Sequence, residues 1–282
     1  MSSFSIIPCF LDSPQGRIFV IHHHPHDLKA HTGVVLVPPF AEEMNKSRRM
    51  LTLVAEALAE RGFHVMLPDF YGTGDSEGDF SEASWRGWLE QLDCSINSMK
   101  HDYGIESYSL LAVRSGALLV AQYLQQPYPK MDRLVLWQPV VDGVTYLTQF
   151  LRLRLASGML SGGEEKENTQ SLKQQLAEGG VVEVAGYGLT SAVTDGLAAS
   201  TLKNIVSDSL PPTCLVDLVA SEGQPPPLVN RKLAESWIEA GVSLQHFSCV
   251  GEPFWNSVEI VEIPDMVTKT VSFFCGDDSG EA

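Results

Sequence analysis

The stretch that most limits what this chain can fold into is Ser107–Leu124. Its apolar run Leu110-Leu111-Ala112-Val113 stops abruptly at Arg114-Ser115-Gly116, and a helical stretch rich in small residues begins at once. A buried strand that turns so sharply into a helix lifts one side chain above a parallel sheet and sets it at a helix N-terminus.

The rest of the chain supplies neighbours for that strand. Gly33–Val37, Phe63–Pro68, Arg133–Trp137, Pro212–Ala220 and Val242–Val250 read as short strands, mostly apolar and buried on both faces. Between them Met50, Leu51, Val54 and Leu58, then Trp85, Trp88, Leu92 and Ile96, then Leu233 and Trp237, recur at helical spacing. Val258–Phe274 reads as a last helix interrupted near Pro264, and Arg17–His22 as part of a leading antiparallel hairpin. Alternation of strand and helix lapses from Val141 to about Ser209. The expectation is an α/β fold, a doubly wound and mostly parallel sheet. Residues 1–140 and 210–275 would form its core, 141–209 an inserted lid or cap, and 276–282 a polar tail.

A formal charge of −16 opposes a nucleic-acid partner, which needs a basic face. Five cysteines without Cys-x-x-Cys spacing read as reduced thiols of a cytoplasmic protein. Met1–Phe10 lacks the positive start and long apolar core of a signal peptide. No apolar run reaches the roughly 20 residues of a membrane span. His22-His23-His24 with His26 has no Cys-rich or acidic second half to complete a metal site, so a solvated strand end is expected. Gly72-Thr73-Gly74 follows a strand as a dinucleotide loop would, but the third glycine and the helix after it are missing. No metal or organic cofactor is implied.

The usual pattern for the elbow is Gly-x-Ser-x-Gly. Setting its second glycine on Gly116 places Ala112 at the first, Arg114 at the nucleophile and Ser115 one residue late. This order of parts resembles the α/β-hydrolase superfamily across nearly the whole chain. Pro38-Pro39-Phe40 falls where many members carry their oxyanion loop, and Asp69 with Gly72-x-Gly74-x-Ser76 resembles a turn of many esterases and lipases. More narrowly, Pro38–Met50, the Arg-x-Gly-Ala-Leu-Leu elbow and Gly251-x-Pro253-Phe254-Trp255 resemble the exosortase A system-associated hydrolase 2 group. That resemblance implies an accessory role beside bacterial exopolysaccharide and protein-sorting functions.

A serine hydrolase needs a nucleophile, a histidine base and an orienting acid, here in the order Ser, Asp/Glu, His. Arg114 is always protonated and cannot attack a carbonyl. Ser115 is either a displaced nucleophile or a helix-start residue offering only its backbone N–H. Glu222 is the one carboxylate after the strand ending at Ala220, either an acid or a loop charge. Pro253 stands where the histidine is expected, and His246, the only histidine beyond the elbow, lies inside a strand. Ser115, Glu222 and His246 are therefore the catalytic candidates if the chain is an ester or thioester hydrolase.

The alternative is a pocket that binds a small anionic or acyl-bearing ligand without cleaving it. The N–H groups of Phe40 or Ala41 and of Ser115 would form the anion hole. Arg114 would grip a carboxylate or phosphate with two hydrogen bonds, and Arg152 and Arg154 would add charge from the lid. Against this stands internal neutralisation of Arg114 by Glu42, Glu43 or Glu222. A third possibility is a protein partner docked on the lid at Tyr146–Met159.

Overall fold

The computed structural model describes residues 3–26, 31–127, 130–160, 167–205 and 210–277. The chain opens with β1 (Phe4–Leu11), β2 (Ile18–Pro25), β3 (Thr32–Val37), α1 (Glu42–Glu60), β4 (His64–Pro68) and α2 (Trp85–Tyr103). The elbow joins β5 (Ser107–Val113) to α3 (Gly116–Tyr123), and β6 (Met131–Trp137) follows. Then come α4 (Gly143–Leu160), α5 (Thr169–Ala177), β7 (Val182–Val184), β8 (Tyr187–Leu189) and α6 (Ser191–Ala199). The chain closes with β9 (Thr213–Val219), α7 (Leu228–Glu239), β10 (Leu244–Val250) and α8 (Pro264–Cys275).

Eight strands form one sheet in the order β1-β2-β4-β3-β5-β6-β9-β10. β1, β2 and β4 pair antiparallel, and every pairing from β4 through β3 to β10 is parallel. Nearly every residue of the central strands is buried because helices cover both faces. One apolar layer joins Leu110, Ala112 and Leu136 to α2, α3 and the segment after β6. The other joins Leu111, Val113 and Trp137 to α1 and α8. Between β6 and β9 the described residues add no strand to the sheet, and α6 packs there against α2 and α4.

Two expectations need correction. His22 and His23 are not a solvated strand end: β2 is paired on both sides, and they are 0 % and 1 % exposed. The His22 and His64 rings lie 3.1 Å apart at Nε2 and Nδ1, with Tyr103 packed edge-on. No group of three metal-ligating side chains forms a metal site among the described residues. Val258–Ile263 is not helical either. Pro264 starts α8, where its missing N–H costs nothing, and it disfavours helical geometry at the residue before it. All five cysteines are free, with Cys214 and Cys249 buried. Gly162-Gly163 and residues 278–282 of the expected tail lie outside the described residues. No described helix is long and apolar enough to cross a membrane.

Candidate functional site

The elbow is built as its sequence suggests. Arg114 takes φ 52°, a left-handed conformation costing an L-residue on the order of 1–2 kcal/mol. Three backbone bonds hold it there: Arg114 N–H to Trp137 O, Ala117 N–H to Arg114 O and Val140 N–H to Arg114 O. Gly116 is required by the approach of α3 to the end of β3, where a Cβ would lie 2.5 Å from Val37 O. The apex of a hydrolase-type elbow is thus present, and an arginine occupies it.

That arginine is held by partners from three separate segments, and a fourth segment reaches its carboxylate partner. Glu43 Oε1, in the first turn of α1, accepts from Arg114 Nε at 3.4 Å and from Nη2 at 3.2 Å. Nη1 donates to Gln138 O at 3.2 Å, and the guanidinium lies 4.7 Å from the Trp255 ring centroid. Gln138 is itself at φ 42°, and its Oε1 receives the Leu218 N–H at 2.7 Å. Tyr146 of α4 donates to the second Glu43 oxygen at 3.1 Å. Of the three carboxylates considered for neutralising Arg114, the partner is Glu43.

Ser115 is 2 % exposed, starts α3 with helical dihedrals and caps nothing with its side chain. Its hydroxyl lies beside the Tyr146 phenol and receives the Phe40 N–H at 3.4 Å. The serine therefore fills space in the expected anion hole. Burial, then the Glu43 charge, pushes the Tyr146 phenol far above its ordinary range, so it is a neutral donor and no base. Ala41 next door is buried at φ 57°. Below lies a narrow crevice of about 10 Å³, lined by Phe40, Phe70, Trp85, Trp88, Leu119 and Ser115. That is room for about one water molecule.

The other expected members do not converge here. Glu222 is exposed in the loop after β9, and Pro253 is exposed in the loop after β10. His246 Nε2 sits 2.7 Å from Asp217 Oδ2, and Asp217 Oδ1 receives Asn230 Nδ2 at 2.6 Å. This pair lies within β9 and β10 and faces α7. β9 is two strands from β5, about 10 Å at the usual spacing. Asp217 escaped the sequence reading; the signal was a lone charge inside the apolar run Cys-Leu-Val-Asp-Leu-Val. Arg154 is held by Glu167 at 2.9 Å and by Glu183 O at 3.0 Å, and Arg152 is exposed. α4 turns Tyr146, Leu147, Phe150 and Leu151 inward, which leaves both arginines off its packed side. Val144 and Leu153 remain exposed on it.

The serine aminopeptidase S33 family, Hydrolase_4, matches residues 29–177, more than half of the 282-residue chain. No curated protein matches the chain. Among solved structures, Est1E from Butyrivibrio proteoclasticus with bound ferulic acid superimposes with a TM-score of 0.67 at 14 % identity, covering 95 % of this chain and 98 % of its own. An α/β serine hydrolase homologue from Coxiella burnetii gives 0.57 at 16 % identity, with 97 % of each chain covered. The thioesterase domain from the curacin biosynthetic pathway gives 0.55 at 16 % identity, covering 96 % and 99 %. At such identities these likenesses speak for the fold.

Proposed function

We propose that this chain, which belongs to the serine aminopeptidase S33 family of α/β-hydrolases, keeps the family's elbow but binds a small anionic or acyl-bearing ligand there without hydrolysing it. One observation carries the reading. Arg114 occupies the elbow apex, paired with Glu43, while Ser115 is shut beneath Tyr146 with no imidazole among its partners in the described residues. A guanidinium cannot attack a carbonyl, and a serine without a base is a poor nucleophile. The degraded triad is then a conversion from cleavage to recognition. Residues 141–209 act as the lid, supplying Tyr146 to the site. The resemblance to the exosortase A system-associated group supports a cytoplasmic accessory role in an exopolysaccharide or sorting pathway.

A second reading has a specific observation in its favour. Ser115 lies beside a tyrosine that also donates to Glu43, an arrangement of the kind that orients a hydroxyl in an esterase or thioesterase. Its 2 % exposure weighs against it, since an attacking oxygen must reach the substrate. Steady-state turnover of a panel of p-nitrophenyl esters and acyl thioesters separates the two. The binding reading expects wild type and Ser115→Ala to be equally inert. A rate lost in Ser115→Ala would establish the hydrolase.

A further inference from the structure

The Glu43–Arg114 contact is unlike the other arginine–carboxylate pairs among the described residues. Pairs at Arg17, Arg48, Arg49, Arg61, Arg86 and Arg154 all close to 2.5–2.9 Å. Such distances are normal for charge-assisted hydrogen bonds. Glu43 reaches Arg114 only at 3.2 and 3.4 Å and Tyr146 at 3.1 Å. The donors nevertheless surround it as a seat. Two guanidinium N–H groups meet one oxygen and a neutral phenol O–H meets the other, from the elbow and from α4. Trp255 covers one face of the guanidinium. Both Arg114 and Glu43 side chains keep 18 % of their surface open to solvent.

We infer that Glu43 is a resident stand-in for the carboxylate of a ligand, and that the elbow is a receptor for monocarboxylates. This rests on the non-hydrolytic reading of the same site. When a ligand arrives, Glu43 swings from the seat toward solvent beside Glu42, and the incoming carboxylate takes the Arg114 and Tyr146 hydrogen bonds. Glu43 stays in the first turn of α1, where a negative charge is favoured by the helix dipole in either position. A monocarboxylate suits the seat better than a phosphate. Among the described residues Arg114 is the one cation in the seat, the phenol is neutral, and Glu42 is adjacent, so a dianion would be left half-compensated. The ligand's apolar body would lie against Trp255.

Glu43 thereby sets the affinity, because a ligand binds only the fraction of molecules whose seat is vacant. Calorimetric titration of the full chain with butyrate and with inorganic phosphate tests this. Glu43→Gln removes the competing charge and should tighten butyrate by about tenfold. Glu43→Ala serves as a second variant, since a glutamine oxygen can still accept from Arg114. Arg114→Gln should abolish binding, and Tyr146→Phe should weaken it severalfold. Far-UV circular dichroism checks that each variant is folded. Unchanged or weaker butyrate affinity in both Glu43 variants would overturn the inference, as would binding that survives Arg114→Gln. Arg114-dependent binding of phosphate in preference to butyrate would overturn the ligand class. Binding of neither probe to any variant would overturn the inference while leaving the non-hydrolytic reading intact. Ser115-dependent ester turnover is what would defeat that reading.

Discussion

Two arginine–carboxylate pairs sit at the carboxyl end of the sheet and are built to opposite purposes. Arg48–Asp69 closes to 2.6 Å around a carboxylate only 1 % exposed, and Asp69 also accepts the Asp75 N–H at 3.0 Å. Gly74 is glycine at φ 54° because a Cβ there would collide with that carboxylate. Every direction around Asp69 is occupied, so the pair bolts the loop after β4 to α1. Arg114–Glu43 is longer, open on one side, and made by two side chains without a backbone contact to the carboxylate. A structural ion pair and an exchangeable one are thus told apart by their surroundings. The first is saturated and sealed; the second leaves lone pairs and an edge for a newcomer.

Substitution separates the two kinds of pair. Among sealed carboxylates the largest effect is expected at Asp217, fully buried between Asn230 and His246. Asp217→Ala should cost about 4 kcal/mol, because it strands two polar partners in the interior. Asp69→Ala should cost about 3 kcal/mol, somewhat less since Arg48 retains contact with water. Urea unfolding midpoints measure both.

Acid should come next. Burial lowers His22 to about 3 and His23 to about 4 from an ordinary 6.5. Burial, then His24 and His31, lowers His64 to about 4. Between pH 6.5 and about 4 the unfolded chain takes up protons that the folded chain refuses. Stability is therefore full above 6.5 and lost as pH falls through that window, by up to roughly 3 kcal/mol for each histidine. Unfolding midpoints from pH 7 to 4 check the sign; a midpoint that rises on acidification would refute it. The smallest effect is expected at the exchangeable pair. Arg114→Ala should change stability by no more than about 1 kcal/mol, as partly exposed pairs do. A cost near that of Asp69→Ala would mean that Arg114–Glu43 is another bolt.

The backbone of this account was legible because apolar runs and glycines are local signals. β5, the turn at Arg114 and the close approach at Gly116 follow from the ten consecutive residues Ser107 to Gly116. The partners of Arg114 were not, since Glu43 reaches it across 71 positions of sequence, Tyr146 reaches Glu43 across 103, and only packing selects Glu43 over Glu42. Arg152 and Arg154 misled for a related reason. Their charge was visible, but the face of α4 that packs inward was set by Tyr146, Leu147, Phe150 and Leu151. The buried histidines of β2 could not be placed without knowing that β2 has a strand on each side.

The most direct measurement is labelling of the purified wild-type chain with a fluorophosphonate, which reacts with activated serines, followed by mass spectrometry of its peptides. The account predicts no label on the peptide carrying Arg114-Ser115-Gly116, in wild type or in Ser115→Ala. Stoichiometric label on Ser115, absent in Ser115→Ala, would contradict it and make this elbow a working hydrolase.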